Sequence, residues 1–310
     1  ASDVYKRQLH YFNLVRGFGE VPLITVPLQS GQDEGLPVSS IVDIYDVIID
    51  DLIYASENCW ARNESGLELG RATNTAAHAL LAKVYTRVAS CKRTAEQGNE
   101  VNTLYLAFPE SYQTYYQYAK EQCDAALNGS GYALKTNLAD WVTIFDADNG
   151  NNEEMLFDIQ GSSLSGQGTA VSNLFTPRNA GLSGSGFGGN NKLKPIFINN
   201  RIDKYDNRYQ FSIIREYATA TRFFNLNQYS TGYVPSDENG NTFGTLWQVW
   251  TAKYIDTEAT TEYTSRQNWH VIRLADVYLM RAEASAEILS DPSAANTDIN
   301  ILRSRVEMNE

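Results

Sequence analysis

One pentapeptide pattern is written twice in this chain, as Leu81-Ala82-Lys83-Val84-Tyr85 and far downstream as Leu274-Ala275-Asp276-Val277-Tyr278. Around the first copy Ala77, Leu80, Leu81, Val84, Tyr85 and Val88 recur at three and four residues. Around the second, Val271, Leu274, Ala275, Tyr278, Ala282, Ala286 and Leu289 do the same. That spacing predicts two helices, each with an apolar stripe that must be buried. A large residue, a small one and a Tyr on the next turn let a neighbouring helix approach closely at the small side chain. Two copies therefore predict a chain built from stacked helix pairs.

The rest of the periodicity agrees. Leu9, Phe12, Val15 and Phe18 read as the tail of a helix that breaks at Gly19 to Leu23. Ser40 with Asp43 three residues on is a capping-box start for a helix burying Ile41, Ile44, Tyr45, Ile48, Leu52 and Ala55. Thr73 and Ser111 are cap residues for the next two, and Ala119, Cys123 and Ala126 precede a stop at Gly129. A last pair, 270–290 and 294–308, turns at Asp291-Pro292 with Ile299, Leu302 and Val306 inward. The pairs have tetratricopeptide character, and the expected fold class is mostly α. The expected organisation is a helical part at 9–128, an irregular loop-rich subdomain at 129–268, and a helix pair at 269–310 packing with the helical part. Asp3 to Gln8 matches the in-frame translation of a transposon end used in sequencing libraries, so 1–8 is expected to be a non-native leader, with native sequence from Leu9.

Several function classes are disfavoured. With 25 basic and 37 acidic residues the chain carries −12, which repels a polyanion, so nucleic acid is no expected partner. No apolar run has membrane-spanning length. Gly184-Ser185-Gly186-Phe187-Gly188-Gly189 spells a dinucleotide pattern, but no strand precedes it and no helix start follows. There is no phosphate-loop Lys, nucleophile-elbow Ser or zinc-protease motif. His10, His78 and His270 are scattered, so no metal and no cofactor is expected. Asp50-Asp51 and Glu153-Glu154 are adjacent pairs, and neighbours on a helix point about 100° apart, unsuited to flanking a glycosidic bond. The odd set Cys59, Cys91 and Cys123 is read as free thiols rather than a disulfide framework.

The chain resembles the SusD/RagB family, surface lipoproteins that capture nutrients for a TonB-dependent transporter. The resemblance lies in Leu14-Val15-Arg16-Gly17-Phe18-Gly19-Glu20-Val21-Pro22-Leu23, in Arg71-Ala72-Thr73 running into Ala79 to Tyr85, and in Asn152-Glu153-Glu154-Met155-Leu156-Phe157. It continues in Asp206-Asn207-Arg208, in Val271 to Ala284 and in Asn300-Ile301-Leu302-Arg303-Ser304-Arg305, all in the family's order. It implies a superhelix of helix pairs cradling an irregular ligand-bearing subdomain, and a SusC-like TonB-dependent transporter as partner. It further implies location at the outer-membrane surface through a lipid anchor that lies outside this chain.

A saccharide offers C–H faces and a rim of hydroxyls, so its site needs flat aromatic platforms beside planar amides and carboxylates. The stretch 223–250 supplies these types densely, and Phe224, Asn225, Tyr229, Tyr233, Trp247 and Trp250 are the candidate ligand-binding residues, with Trp60 and Phe187 as lesser ones. The competing reading of those aromatics is that they fill the interior of the subdomain. No catalytic residue is nominated. The expected function is capture of an oligosaccharide without chemistry. A peptide ligand, an all-helical glycosidase and a tetratricopeptide scaffold for protein partners are the alternatives.

Overall fold

The computed structural model describes residues 1–29, 31, 35–129, 131–164, 166–177, 180–182, 189–193, 206–214, 216–219, 222–225, 250–261 and 263–306. In chain order the described helices are α1 (Ser2–Phe18), α2 (Ile41–Asn58), α3 (Asn74–Glu96), α4 (Tyr112–Leu127), α5 (Leu138–Thr143), α6 (Val171–Phe175), α7 (Asn207–Ser212), α8 (Leu274–Leu289) and α9 (Asn296–Ser304). The described strands are β1 (Met155–Ile159), β2 (Glu216–Thr219), β3 (Arg222–Asn225) and β4 (Trp269–Arg273). The fold is mostly α. It divides into two compact units, Ala1–Leu134 with Ile272–Ile301, and Lys135–Val271 with Leu302–Glu310.

The first unit holds the helix pairs. α1 buries Tyr5, Gln8, Leu9, Phe12 and Val15 along one stripe, which runs back into the expected leader, and Arg7 and Gln8 both donate to the Asp51 carboxylate on α2. Gly19 ends α1 at φ 72°, a conformation glycine adopts without strain. The next three helices begin at their predicted caps. Ser40 Oγ accepts the Asp43 N–H at 3.1 Å, Thr73 Oγ1 that of Ala76 at 3.2 Å, and Ser111 Oγ that of Thr114 at 3.1 Å. The buried face of α2 is Ile41, Ile44, Tyr45, Ile48, Leu52 and Ala55, the set its periodicity predicts.

The two pentapeptides occupy different places. The first lies mid-helix in α3, with Leu81, Ala82 and Val84 sealed. The second opens α8, where the Asp276 carboxylate accepts the Arg273 N–H at 2.8 Å and so caps the helix it belongs to. α8 also buries a wider face than the predicted stripe: Val277, Met280 and Ala284 are enclosed while Leu289 is 67% exposed, because the helix packs against both α4 and α3. Charge ties this pair to the others. Arg281 on α8 grips Asp298 on α9 through two nitrogens at 2.9 and 2.6 Å and reaches Asp124 on α4 at 2.8 Å. α3 packs against α4, and both helices bury small residues, Ala79 and Ala82 on α3 and Ala119, Cys123 and Ala126 on α4, all 0% exposed. Ala82→Phe is therefore expected to overpack that contact and cost about 1–3 kcal/mol. A lowered urea midpoint by circular dichroism checks it, and an unchanged midpoint would contradict the close approach.

The second unit is built by long-range pairing. β1 pairs with β4, and β2 with β3 in antiparallel register Glu216↔Asn225 to Thr219↔Arg222. Its core cluster is Trp141, Ile144, Phe145, Met155 and Val306. Asn152 closes the loop before β1, donating to the Ile144 and Asn149 carbonyls at 3.1 and 2.9 Å while accepting the Glu154 N–H at 3.1 Å. Glu154 receives Arg305 Nη1 on both oxygens at 2.9 and 2.8 Å. Asp206 caps α7 and binds the Arg208 guanidinium, and Asn207 donates to the Val306 carbonyl at 3.0 Å. Three of the stretches that carry the resemblance thus converge, and there they hold structure.

Candidate functional site

The predicted platform residues have different fates. Phe224 and Asn225 lie on β3, opposite Tyr217 and Glu216; their side chains, and Tyr229, Tyr233, Trp247 and Phe187 altogether, lie outside the described residues. Trp250 is described and is only 3% exposed. Its carbonyl accepts the Ile214 N–H at 2.9 Å, and Gly189 backs onto its ring, where an added Cβ would stand 3.4 Å away. It packs the interior and presents no platform. Trp60, 52% exposed, stands beyond the end of α2 in the first unit. His78 bonds Gln122 and His270 bonds Asp158, and no metal-holding group of His, Cys, Asp or Glu occurs among the described residues. All three cysteines are free.

What the second unit does bring together is a layer of rings from separate segments. α6 supplies Phe175, the segment after Trp250 supplies Tyr254, and the start of β4 supplies Trp269 and His270. Tyr254 lies 4.8 Å from Phe175 and 5.9 Å from Trp269, the latter pair inclined by only 20°. His270 stacks on Tyr254 at 6.3 Å and meets the edge of Phe145 at 5.9 Å, and Phe145 meets Trp141 at 5.6 Å. The layer surfaces at Trp269, 38% exposed. His270 binds Asp158 through Nδ1 at 3.0 Å, and among the described residues its buried Nε2 and both buried amide atoms of Asn173 on α6 have no hydrogen-bond partner. A buried imidazole nitrogen or amide without a partner is costly, and a hydroxyl relieves it.

Beside this layer lies a cavity of about 350 Å³. Trp141, Phe145 and the 40% exposed Phe211 give it apolar wall, and Asp146, Asp148, Asp256, Glu258, Lys253 and Arg266 give it polar wall. Asp256 organises the polar side: Ser265 Oγ and the Arg266 N–H donate to one oxygen at 3.1 and 2.7 Å, and Arg266 Nη2 to the other at 3.0 Å. Burial raises the pKa of this carboxyl, but the Arg266 and Ser265 bonds outweigh burial and hold it below the ordinary aspartate range. At Asp146 burial and the charge of Asp148 act together and push the carboxyl up. Flat rings beside carboxylates and a guanidinium can stack a sugar face and bond its hydroxyls. Sequence reading missed this set because its members come from scattered segments with no common period. The only local signal was Asn268-Trp269-His270, polar and aromatic directly before the apolar stripe.

Along residues 96–310 the chain matches the SusD family. A SusD-like protein of Bacteroides ovatus is 30% identical over 288 residues, taking in 90% of this chain and 46% of its own length, so the chain spans about half of that relative. Among solved structures, a laminarin-binding SusD-like protein superposes with a TM-score of 0.68 at 23% identity, over 99% of this chain and 63% of the other. A structure with a xylogluco-oligosaccharide superposes with a TM-score of 0.70 at 22% identity, over 99% and 58%. At that identity these structures attest the fold.

Proposed function

Because the chain belongs to the SusD family, we propose that it captures a nutrient oligosaccharide at the cell surface and passes it to a SusC-like TonB-dependent transporter. The ring layer that surfaces at Trp269 beside the cavity of Trp141, Phe145 and Phe211 carries this reading. Stacking on Trp269 and Phe211 supplies affinity, and the carboxylates and Arg266 supply orientation, so the ligand is held and released unchanged. The laminarin and xylogluco-oligosaccharide relatives are consistent with a glycan ligand. The stretch 223–249, without the buried Trp250, is retained as a further part of the ligand surface. Attachment to the outer membrane is assigned to a lipid anchor, and no helix among the described residues is long and apolar enough to cross a membrane.

The test is calorimetric titration with a panel of oligosaccharides that includes laminarin and xyloglucan fragments, followed by substrate-depletion assay of each binder. Binding without depletion is expected, and Trp269→Ala and Phe211→Ala should each weaken it roughly tenfold, the scale of one lost aromatic contact. A panel without binders sinks the glycan reading. Affinity unmoved by both replacements removes these residues from the site, and depletion makes the protein a glycosidase.

A further inference from the structure

We propose that Asp158 is a positioning residue for ligand capture: acting through Asn268 and His270, it sets how the Trp269 ring is presented. This rests on the oligosaccharide reading above and names a residue on which the affinity of that same site depends.

The first observation is that one carboxylate holds both chain neighbours of the platform. Asp158 on β1 accepts His270 Nδ1 on Oδ1 at 3.0 Å and Asn268 Nδ2 on Oδ2 at 3.4 Å. Residues two apart on an extended chain point the same way, and the one between them points away. Asn268 and His270 thus turn inward together, and Trp269 turns out to 38% exposure. The Asp158 side chain is 0% exposed, so water does not compete for either bond.

The second observation is that the backbone leading to Trp269 is clamped. A Cβ on Gly161 would stand 2.9 Å from the Gln267 carbonyl oxygen, and one on Gly168 would run into the Tyr263 carbonyl. Glycines at such places mark a close backbone approach. The Thr169 N–H and Oγ1 donate to the Ser265 and Gln267 carbonyls at 3.0 and 2.8 Å, and the Gly161 N–H donates to Asn268 Oδ1 at 2.9 Å. With the segment held along its length, the bonds to Asp158 fix the turn of the strand about its own axis. Tyr254 braces the result, 5.9 Å from the Trp269 ring and 6.3 Å from that of His270. A platform gives most affinity when its ring is held before the sugar arrives, because ordering it on binding costs entropy.

The experiment titrates the 310-residue chain with each oligosaccharide of the panel above that binds, laminarin and xyloglucan fragments first, as parent, Asp158→Asn, Trp269→Ala and the double variant. Asp158→Asn keeps the shape and removes one of two acceptors, and it is expected to weaken binding roughly fivefold, the scale of one hydrogen bond. On the Trp269→Ala background the same replacement should change affinity by less than about twofold, because the ring it positions is gone. Acrylamide quenching of tryptophan fluorescence reads the ring without ligand: Asp158→Asn should raise it in the parent and leave it unchanged on the Trp269→Ala background. Circular dichroism verifies that the variants fold. Where Asp158→Asn does not, Asn268→Ala, which removes one anchor and leaves the carboxylate, takes its place with the same expectations. Losses that multiply in the double variant overturn the proposal, since Asp158 would then act on the fold at large, and so does quenching that the replacement leaves unmoved. Unchanged affinity in Asp158→Asn overturns this inference alone; failure of every oligosaccharide overturns the capture reading with it.

Discussion

Replacing Arg305 with Met is expected to cost about 3–5 kcal/mol of folding stability. The guanidinium is 6% exposed and its partner Glu154 is 0% exposed, with Nη1 on both carboxylate oxygens at 2.9 and 2.8 Å. The carboxylate also accepts the Lys135 N–H at 3.3 Å. Without Arg305 a charge stays buried in low dielectric without its counter-ion, and desolvation of the stranded charge dominates the loss. Urea unfolding read by tryptophan fluorescence checks it, since Trp141 sits in the cluster that also holds Val306. Pairing Arg305→Met with Glu154→Leu should restore most of the loss, because the apolar pair leaves nothing charged to desolvate. A single variant within about 1 kcal/mol of the parent would place this ion pair among those that water screens.

Arg281→Gln should cost about 2–3 kcal/mol in the first unit and change its acid response. The Arg281 side chain is 23% exposed and Asp298 8%, so most of the loss is again a carboxylate left without its fork. Asp124 supplies the pH signature. Burial raises the pKa of its carboxyl, but the bonds from Lys120 and Arg281 outweigh burial and hold it below the ordinary aspartate range. A group depressed on folding contributes stability that is whole above its unfolded pKa and is lost as pH falls through the folded value. The parent should therefore lose stability on acidification below about pH 4. In the variant part of that slope disappears, because Asp124 is then held down by Lys120 alone. Urea midpoints measured between about pH 6 and pH 2.5 for both proteins decide it. Parallel curves would mean that Asp124 owes nothing to Arg281.

The helices were legible because their signals are local. Ser40, Thr73 and Ser111 each cap the helix that starts one residue later, since a hydroxyl three residues before a free N–H needs nothing from the rest of the chain. The buried face of α2 follows from spacing alone for the same reason. Leu289 shows the limit. Periodicity continues the stripe to it, but only the helices actually packed on α8 decide which side is covered, and they leave it 67% exposed. Trp250 shows the same limit in the second unit, where residue type predicted a platform and the packing around it leaves it 3% exposed.

Composition and periodicity by themselves determined a chain of mostly helical pairs and its caps, since these follow from contacts between residues a few positions apart, while the family was read from the resemblance of its motifs. Tertiary structure alone decided that Phe175, Tyr254 and Trp269 form one layer, that Phe145 lies under the Lys253 ammonium, and that Glu154 waits for Arg305. The physical reason is distance along the chain: stacking and ion pairing act over a few ångströms in space, and nothing in a residue's neighbours states which remote segment will be brought within that reach.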